Sequence, residues 1–193
     1  MRQLFATPLY EADLAADLDE LARSIRALAA EDRAGIGWAR EHGYRGYTSY
    51  ASLDDLPRRD PAFAVLARLL TRHAASFAHD LGWAVKPRLD SLWVNLLKGG
   101  GHHSAHIHPH SILSGTLYVE VPEGSGAIRF EDPRLPMMMA APTRRSDAPE
   151  PLQPFVTLAP RSGLLLLWES WLRHEVLPGR GREERLSVSF NFR

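Results

Sequence analysis

A chain of 193 residues, 45% hydrophobic and 24% charged, can bury a core of its own and has the composition of a globular protein. It has no cysteine, which excludes disulfides, thiolate metal sites and thiol nucleophiles together, so any metal must be held by imidazole and oxygen. The formal charge is zero, which leaves no electrostatic footprint for nucleic acid or an anionic membrane. Residues 2–11 read as a first strand. The opening stretch MRQLFATPLYEADL lacks the apolar run of a secretory leader. No apolar run reaches the roughly 20 residues that span a bilayer, and GLLLLW at 163–168 is far shorter. The expectation is a cytoplasmic protein.

Leu14, Leu18, Leu21, Ile25 and Leu28 recur every three or four residues, which predicts an amphipathic helix over about 13–30. The stretch GYRGYTSYASLDDL reads as irregular. Asp60 and Pro61 then have the character of an N-cap and first helical position. They open a second helix carrying Phe63, Leu66, Leu70 and Phe77, which stops near Gly82. From residue 86 short runs of Val, Leu, Phe and Tyr alternate with Gly/Pro/Asp turns. Strands are predicted near 88–98, 104–108, 112–121, 126–131, 153–159, 163–168, 174–178 and 184–192. Eight short strands after two helices predict an α+β, mainly β fold: a jelly roll with two N-terminal helices packed on it. Residues 1–193 read as a single domain, a helical segment over 1–85 followed by a jelly-roll core over 86–193. The long connection 133–150, with three consecutive Met, is a candidate lid or a plain surface loop.

Five of the nine histidines fall within GGGHHSAHIHPH at 99–110. On an extended strand residues i and i+2 share a face, so His106 and His108 project together. His174, in WLRHEV, is the candidate third ligand. Three imidazoles on one side of an ion leave positions open, as a catalytic metal requires. The bland alternative is a solvated, glycine-flexed loop and an ordinary strand histidine. His102, His103 and His110 read as surface or supporting groups. In ERLSVSFNF, Leu186, Val188, Phe190 and Phe192 face one way and Arg185, Ser187, Ser189 and Asn191 the other. If PGRG at 178–181 is a hairpin turn, His174 and Arg185 become cross-strand partners. A guanidinium there offers a planar fork for a carboxylate, and Ser187 adds a hydroxyl.

These residues resemble the 2-oxoglutarate/Fe(II)-dependent oxygenases, in particular a small bacterial group with an N-terminal helical segment. The resemblance is carried by WVN at 93–95, HIHP at 106–109, LSGTLYV at 113–119, FEDPR at 130–134, SWLRHEV at 170–176 and RLSVSFN at 185–191, with GYTS at 46–49 matching more loosely. It covers most of residues 88–193. It implies a double-stranded β-helix, an oxygenase activity, and Fe(II) with 2-oxoglutarate as co-substrate. It also implies His106, His108 and His174 as metal ligands, Arg185 as the anchor of the distal carboxylate, Ser187 assisting, and Asn95 and Tyr118 on strands that line the same pocket. The wider superfamily has a carboxylate where this chain has His108. A carboxylate from elsewhere, such as Glu120 or Asp90, is the alternative third ligand. Rival readings are a cupin-type enzyme, a three-histidine zinc hydrolase, and a metal-binding module of the same fold without turnover. The expected partner is a small molecule or a protein side chain, with no nucleic acid and no membrane, and a homodimer is compatible with the sequence.

Overall fold

The computed structural model describes residue 2 and residues 4–193. In chain order the elements are β1 (Tyr10–Asp13), α1 (Leu18–Glu31), α2 (Arg33–Glu41), β2 (Gly46–Thr48), α3 (Leu56–Arg59), α4 (Pro61–Asp80), β3 (Leu89–Leu97), β4 (His103–His106), β5 (Leu113–Glu120), β6 (Ile128–Glu131), β7 (Phe155–Leu158), β8 (Leu164–Glu169), β9 (His174–Val176) and β10 (Arg185–Phe192). Two short 3-10 turns, Leu135–Met137 and Glu150–Leu152, interrupt the long connection between β6 and β7.

The strands form two antiparallel sheets, one of six in the order β1-β8-β5-β10-β3-β2 and one of four in the order β4-β9-β6-β7. Sandwiched together they make the jelly roll expected of this sequence, open rather than closed into a barrel. Alternation along the six-stranded sheet decides what each face meets. Leu92, Val94 and Leu96 of β3, Leu117 and Val119 of β5, Leu165 and Leu167 of β8, and Leu186, Val188, Phe190 and Phe192 of β10 join Leu21 and Ile25 of α1 and Phe63, Leu66, Leu70 and Phe77 of α4 in one core. The opposite parity, with Tyr118, Leu164, Leu166 and Trp168, meets Ile128 and Phe130 of the smaller sheet in a second cluster. The larger sheet is therefore covered on both faces, one by helices and one by strands.

Helix α4 matches its sequence signals: the Asp60 carboxylate accepts from the Ala62 N–H, Pro61 opens the first turn, and Gly82 lies at φ +71° just beyond the end. Among the described residues four helices form where two were predicted. The Asp32 carboxylate accepts from the Gly35 N–H and starts α2 directly after α1. The two glycines of RAGIGWARE hide that helix from a reading by propensity. Gly35 is needed there, since a Cβ would press on Asp32 and the Tyr47 ring. α3 is a single turn. The first strand starts at Tyr10, and of the expected span 2–11 residue 3 lies outside the described residues. β2 is a three-residue strand that the irregular reading of 43–56 passed over; it pairs Thr48 with Asn95.

The expected hairpin at 178–181 does not form. β9 pairs with β4 and β6 in the smaller sheet, whereas β10 pairs with β3 and β5 in the larger. The glycine-rich link crosses between sheets. Its backbone bonds other loops: Arg180 and Gly181 N–H both donate to the Gly124 carbonyl, and Gly100 N–H donates to Gly179. His174 and Arg185 therefore approach the same space from different sheets and are not cross-strand partners.

Candidate metal centre

His174 opens β9 and sits opposite His106, the last residue of β4. His108 lies just past that strand, held by its N–H donating to the Ser170 carbonyl at 3.0 Å. One ring nitrogen from each of the three falls within 4.8 Å of the others, and no carboxylate joins the group among the described residues. The His106 and His174 ring centres are 4.4 Å apart, and the His108 and His174 rings are parallel within 3° at 5.2 Å.

Hydrogen bonds set the chemistry of two of these rings. His106 Nδ1 lies 2.6 Å from the Ser104 carbonyl oxygen and His174 Nδ1 lies 2.9 Å from that of Leu172. A carbonyl can only accept, so both Nδ1 atoms carry a proton and Nε2 is the atom of each ring left to meet a metal. The Nε2 atoms of His108 and His174 face each other at 3.4 Å. Burial, helped by the His106 ring nearby, pushes His108 down to about 4 and His174 down to about 3. Both rings are thus neutral at pH 7. Converging neutral imidazole lone pairs in a half-buried site are a donor set suited to a divalent ion of the first transition row.

The three rings stand in a cavity of about 460 Å³ between the sheets. Its floor is the polar parity of β10, with Arg185, Ser187, Ser189 and Asn191, beside Asn95 and Tyr118 from β3 and β5. Arg185 is 4% exposed. Its Nη1 donates to the Gly126 carbonyl at 2.8 Å, its guanidinium lies 5.5 Å from the Tyr118 ring centre, and its buried Nε has no partner. Among the described residues it forms no ion pair. A buried guanidinium with unused donors and no carboxylate calls for an anion. Position 126 must be glycine here, since a Cβ would collide with the Leu177 carbonyl.

Two alternatives for the third ligand fail on position. Glu120 is bound by both terminal nitrogens of Arg26, at 2.8 and 2.5 Å, and Asp90 pairs with Arg193 at 3.1 Å. Neither lines the cavity. No residue of 133–150 lines it either. His102 and His110 are exposed, and His103 is half-buried, the supporting one of the three. Its Nε2 lies 3.0 Å from the Tyr44 hydroxyl, and burial, reinforced by nearby Arg185, pushes it down to about 3. Asn95 accepts from Thr48 Oγ at 2.9 Å and donates to Ser189 Oγ at 3.1 Å. Tyr44, Thr48, Trp38 and Tyr50 are cavity residues that the sequence reading missed, and all come from the N-terminal segment. Only the loose GYTS match pointed there.

The family model described as "Putative 2OG-Fe(II) oxygenase" matches residues 91–191, more than half of the chain. The protein belongs to this family of enzymes, which use iron(II) and 2-oxoglutarate. That membership displaces the cupin and zinc-hydrolase alternatives. No curated protein matches the sequence. Among solved structures it is similar to a prolyl-4-hydroxylase from Pseudomonas putida, at 20% identity, 97% of this chain, 93% of that one and a TM-score of 0.63. It is also similar to SnoN, a non-heme alpha-ketoglutarate-dependent epimerase from nogalamycin biosynthesis, at 18% identity, 97% and 76% coverage and a TM-score of 0.68. HygX from Streptomyces hygroscopicus, solved with nickel and 2-oxoglutarate bound, follows at 16% identity, 97% and 82% coverage and 0.58. At such identities the likeness is one of fold. No helix among the described residues is long and apolar enough to cross a membrane.

Proposed function

We propose that His106, His108 and His174 hold the iron of this oxygenase, and that Arg185 anchors the distal carboxylate of 2-oxoglutarate with Ser187 beside it. The observation that carries the reading is that three converging imidazole nitrogens and a buried guanidinium, whose Nε meets no protein acceptor, line one cavity. Asn95 and Tyr118 complete the co-substrate end. Asn95 is fixed by Thr48 and Ser189, and the Tyr118 ring packs against the guanidinium. When bound, the metal and co-substrate supply the oxidising power, reducing dioxygen while 2-oxoglutarate is converted to succinate and carbon dioxide.

The protein's own part is geometric and electrostatic. The Ser104 and Leu172 carbonyls hold the Nδ1 protons of His106 and His174, so neither ring can turn its lone pair away. Trp168, edge-on to His174 at 4.7 Å, and Phe130 at 5.9 Å exclude water behind that ring. With His108 in place of a carboxylate, the metal and Arg185 bring three positive charges against two from the co-substrate, leaving the loaded site net positive. We infer that residues 1–193 act as one domain, because the helices of 1–85 bury against the sheet and β1 and β2 extend it. The proposed compartment is the cytoplasm, which suits a fold that uses no disulfide.

Anaerobic titration with Fe(II) and then 2-oxoglutarate tests the assignment through the visible charge-transfer band of the chelate. The band is expected in the native protein. Arg185→Ala should keep the iron and weaken 2-oxoglutarate binding by roughly a hundredfold, the scale of an orphaned buried charge pair. Equal loss of iron and co-substrate would make Arg185 a structural residue and sink the anchor role.

A further inference from the structure

The cavity has two chemically different ends. Arg185 and its hydroxyl and amide neighbours make the floor, while the mouth is aromatic. Tyr50, in the turn after β2, is 62% exposed. Its ring meets Trp93 edge-on at 5.2 Å, and Trp93, 8% exposed, lies 6.0 Å from the His108 ring. Two ring-to-ring steps thus lead from solvent to the histidine cluster. Trp38 of α2 lines the same cavity, with its indole plane fixed by stacking on His42 at 4.2 Å and 14°.

Charge narrows the choice of ligand. Among the described residues no aspartate or glutamate lines the cavity, and Arg185 is its sole lysine or arginine. A cationic substrate would find no counter-charge there, and it would be repelled by the guanidinium and by a bound divalent metal in a space of low effective dielectric. A flat aromatic ring, by contrast, gains offset or edge-on contacts at 4.5–7 Å from successive rings of such a wall. The space of about 460 Å³ must also admit 2-oxoglutarate, which limits the second occupant to a compact ring system.

We propose that the primary substrate is a planar, ring-bearing small molecule without positive charge, seated along Tyr50 and Trp93 with one edge toward His108. The location of the chemistry rests on the iron and 2-oxoglutarate reading above, whereas the ring site stands on the aromatic wall and the charge of the cavity lining.

Calorimetry on the anaerobic protein loaded with Fe(II) and saturating 2-oxoglutarate tests the proposal with four probes: 2-naphthol, 2-naphthoate, 2-naphthylmethylamine and octanoate. The co-substrate keeps the two acids from scoring by occupying Arg185. Naphthol and naphthoate should bind, with the amine at least about tenfold weaker than naphthol and octanoate similarly weaker than naphthoate. Tyr50→Ala should weaken naphthol binding by roughly threefold to tenfold, the scale of one aromatic contact. Tyr50 is exposed, so the variant should fold and keep its charge-transfer band; Trp38→Ala provides a second variant. Equal binding of amine and naphthol, octanoate matching naphthoate, or both variants binding naphthol as the native protein does would each overturn the proposal. Naphthol titrated into metal-free protein separates the two readings. If it binds through Tyr50 while no charge-transfer band forms in the loaded protein, the iron and co-substrate reading fails and the ring site stands. A band without ring binding sinks the ring site alone.

Discussion

On β10, Leu186, Val188, Phe190 and Phe192 enter the core shared with α1 and α4, whereas Arg185, Ser187, Ser189 and Asn191, alternating with them, line the cavity. β3 repeats the division, with Leu92, Val94 and Leu96 against the helices and Trp93 and Asn95 in the cavity. Stability is concentrated on one parity and chemistry on the other. Because the side chains alternate, a change one residue along the strand moves from one to the other. Most of the polar parity is buried as well, with Arg185, Ser187 and Asn191 largely out of solvent and Ser189 half-buried, so what the side chains meet separates the two better than exposure does.

The sharpest break of that comparison is on the cavity side. His174→Ala should lower iron affinity by at least about a hundredfold and abolish turnover, while thermal unfolding of the metal-free protein shifts little; bound iron and a melting curve check both. A large loss of metal-free stability would mean that His174 belongs to the inter-sheet packing instead. On the helix side, Phe190→Ala should cost about 3–5 kcal/mol in denaturant unfolding, since the ring is fully buried. At a temperature where the variant remains folded, its iron content should match the native protein. Its loss there would show the two parities to be coupled.

Asp32 tests the junction between the helical layer and the sheet. Burial alone would raise its carboxyl, but hydrogen bonds from the Gly35 and Ala34 N–H groups and the Ser52 and Tyr47 hydroxyls outweigh it and hold the group below the ordinary carboxylate range. A depressed carboxyl contributes stability that is complete above the unfolded value near about 4 and lost as pH falls through the folded one. Asp32→Asn should therefore flatten the acid limb of the stability profile below about pH 4. An unchanged limb would assign it to other carboxylates. The smallest effect is expected at Ser187. Ser187→Ala should weaken 2-oxoglutarate by about threefold to tenfold, one hydrogen bond's worth, with unchanged iron content. No change in co-substrate affinity would leave Arg185 to act without it.

Much of this was legible in the sequence because alternation is a local signal. The eight core strands and the parity of β10 follow from period-two patterning, and the α4 cap follows from Asp60-Pro61, whereas His108 lies beyond the end of β4 and reaches His106 through a loop held at Ser170. What failed was long-range. PGRG has the composition of a hairpin turn, and only the pairing of β9 with β4 and β6 shows that it links two sheets. α2 was masked by Gly35 and Gly37, and β2 by its three-residue length. With them went Trp38, Tyr44, Thr48 and Tyr50, whose place in the cavity depends on how the N-terminal segment folds over the sandwich. Which of His102, His103 and His110 is the supporting group was not legible, because the partner of His103, Tyr44, lies 59 positions away.

The bonds from Ser104 and Leu172 to the histidine rings carry a consequence for how this site can change over evolutionary time. Each ring is oriented by a carbonyl two residues back in its own chain. Metal-binding histidines are often steered by a distant carboxylate side chain, which a single substitution can delete. Here the steering groups belong to the peptide backbone, and replacing the side chain at 104 or 172 does not remove them. The orientation of the rings is inherited with the path of two short strands. The cavity walls around them are correspondingly free to diversify toward new substrates without retuning the centre.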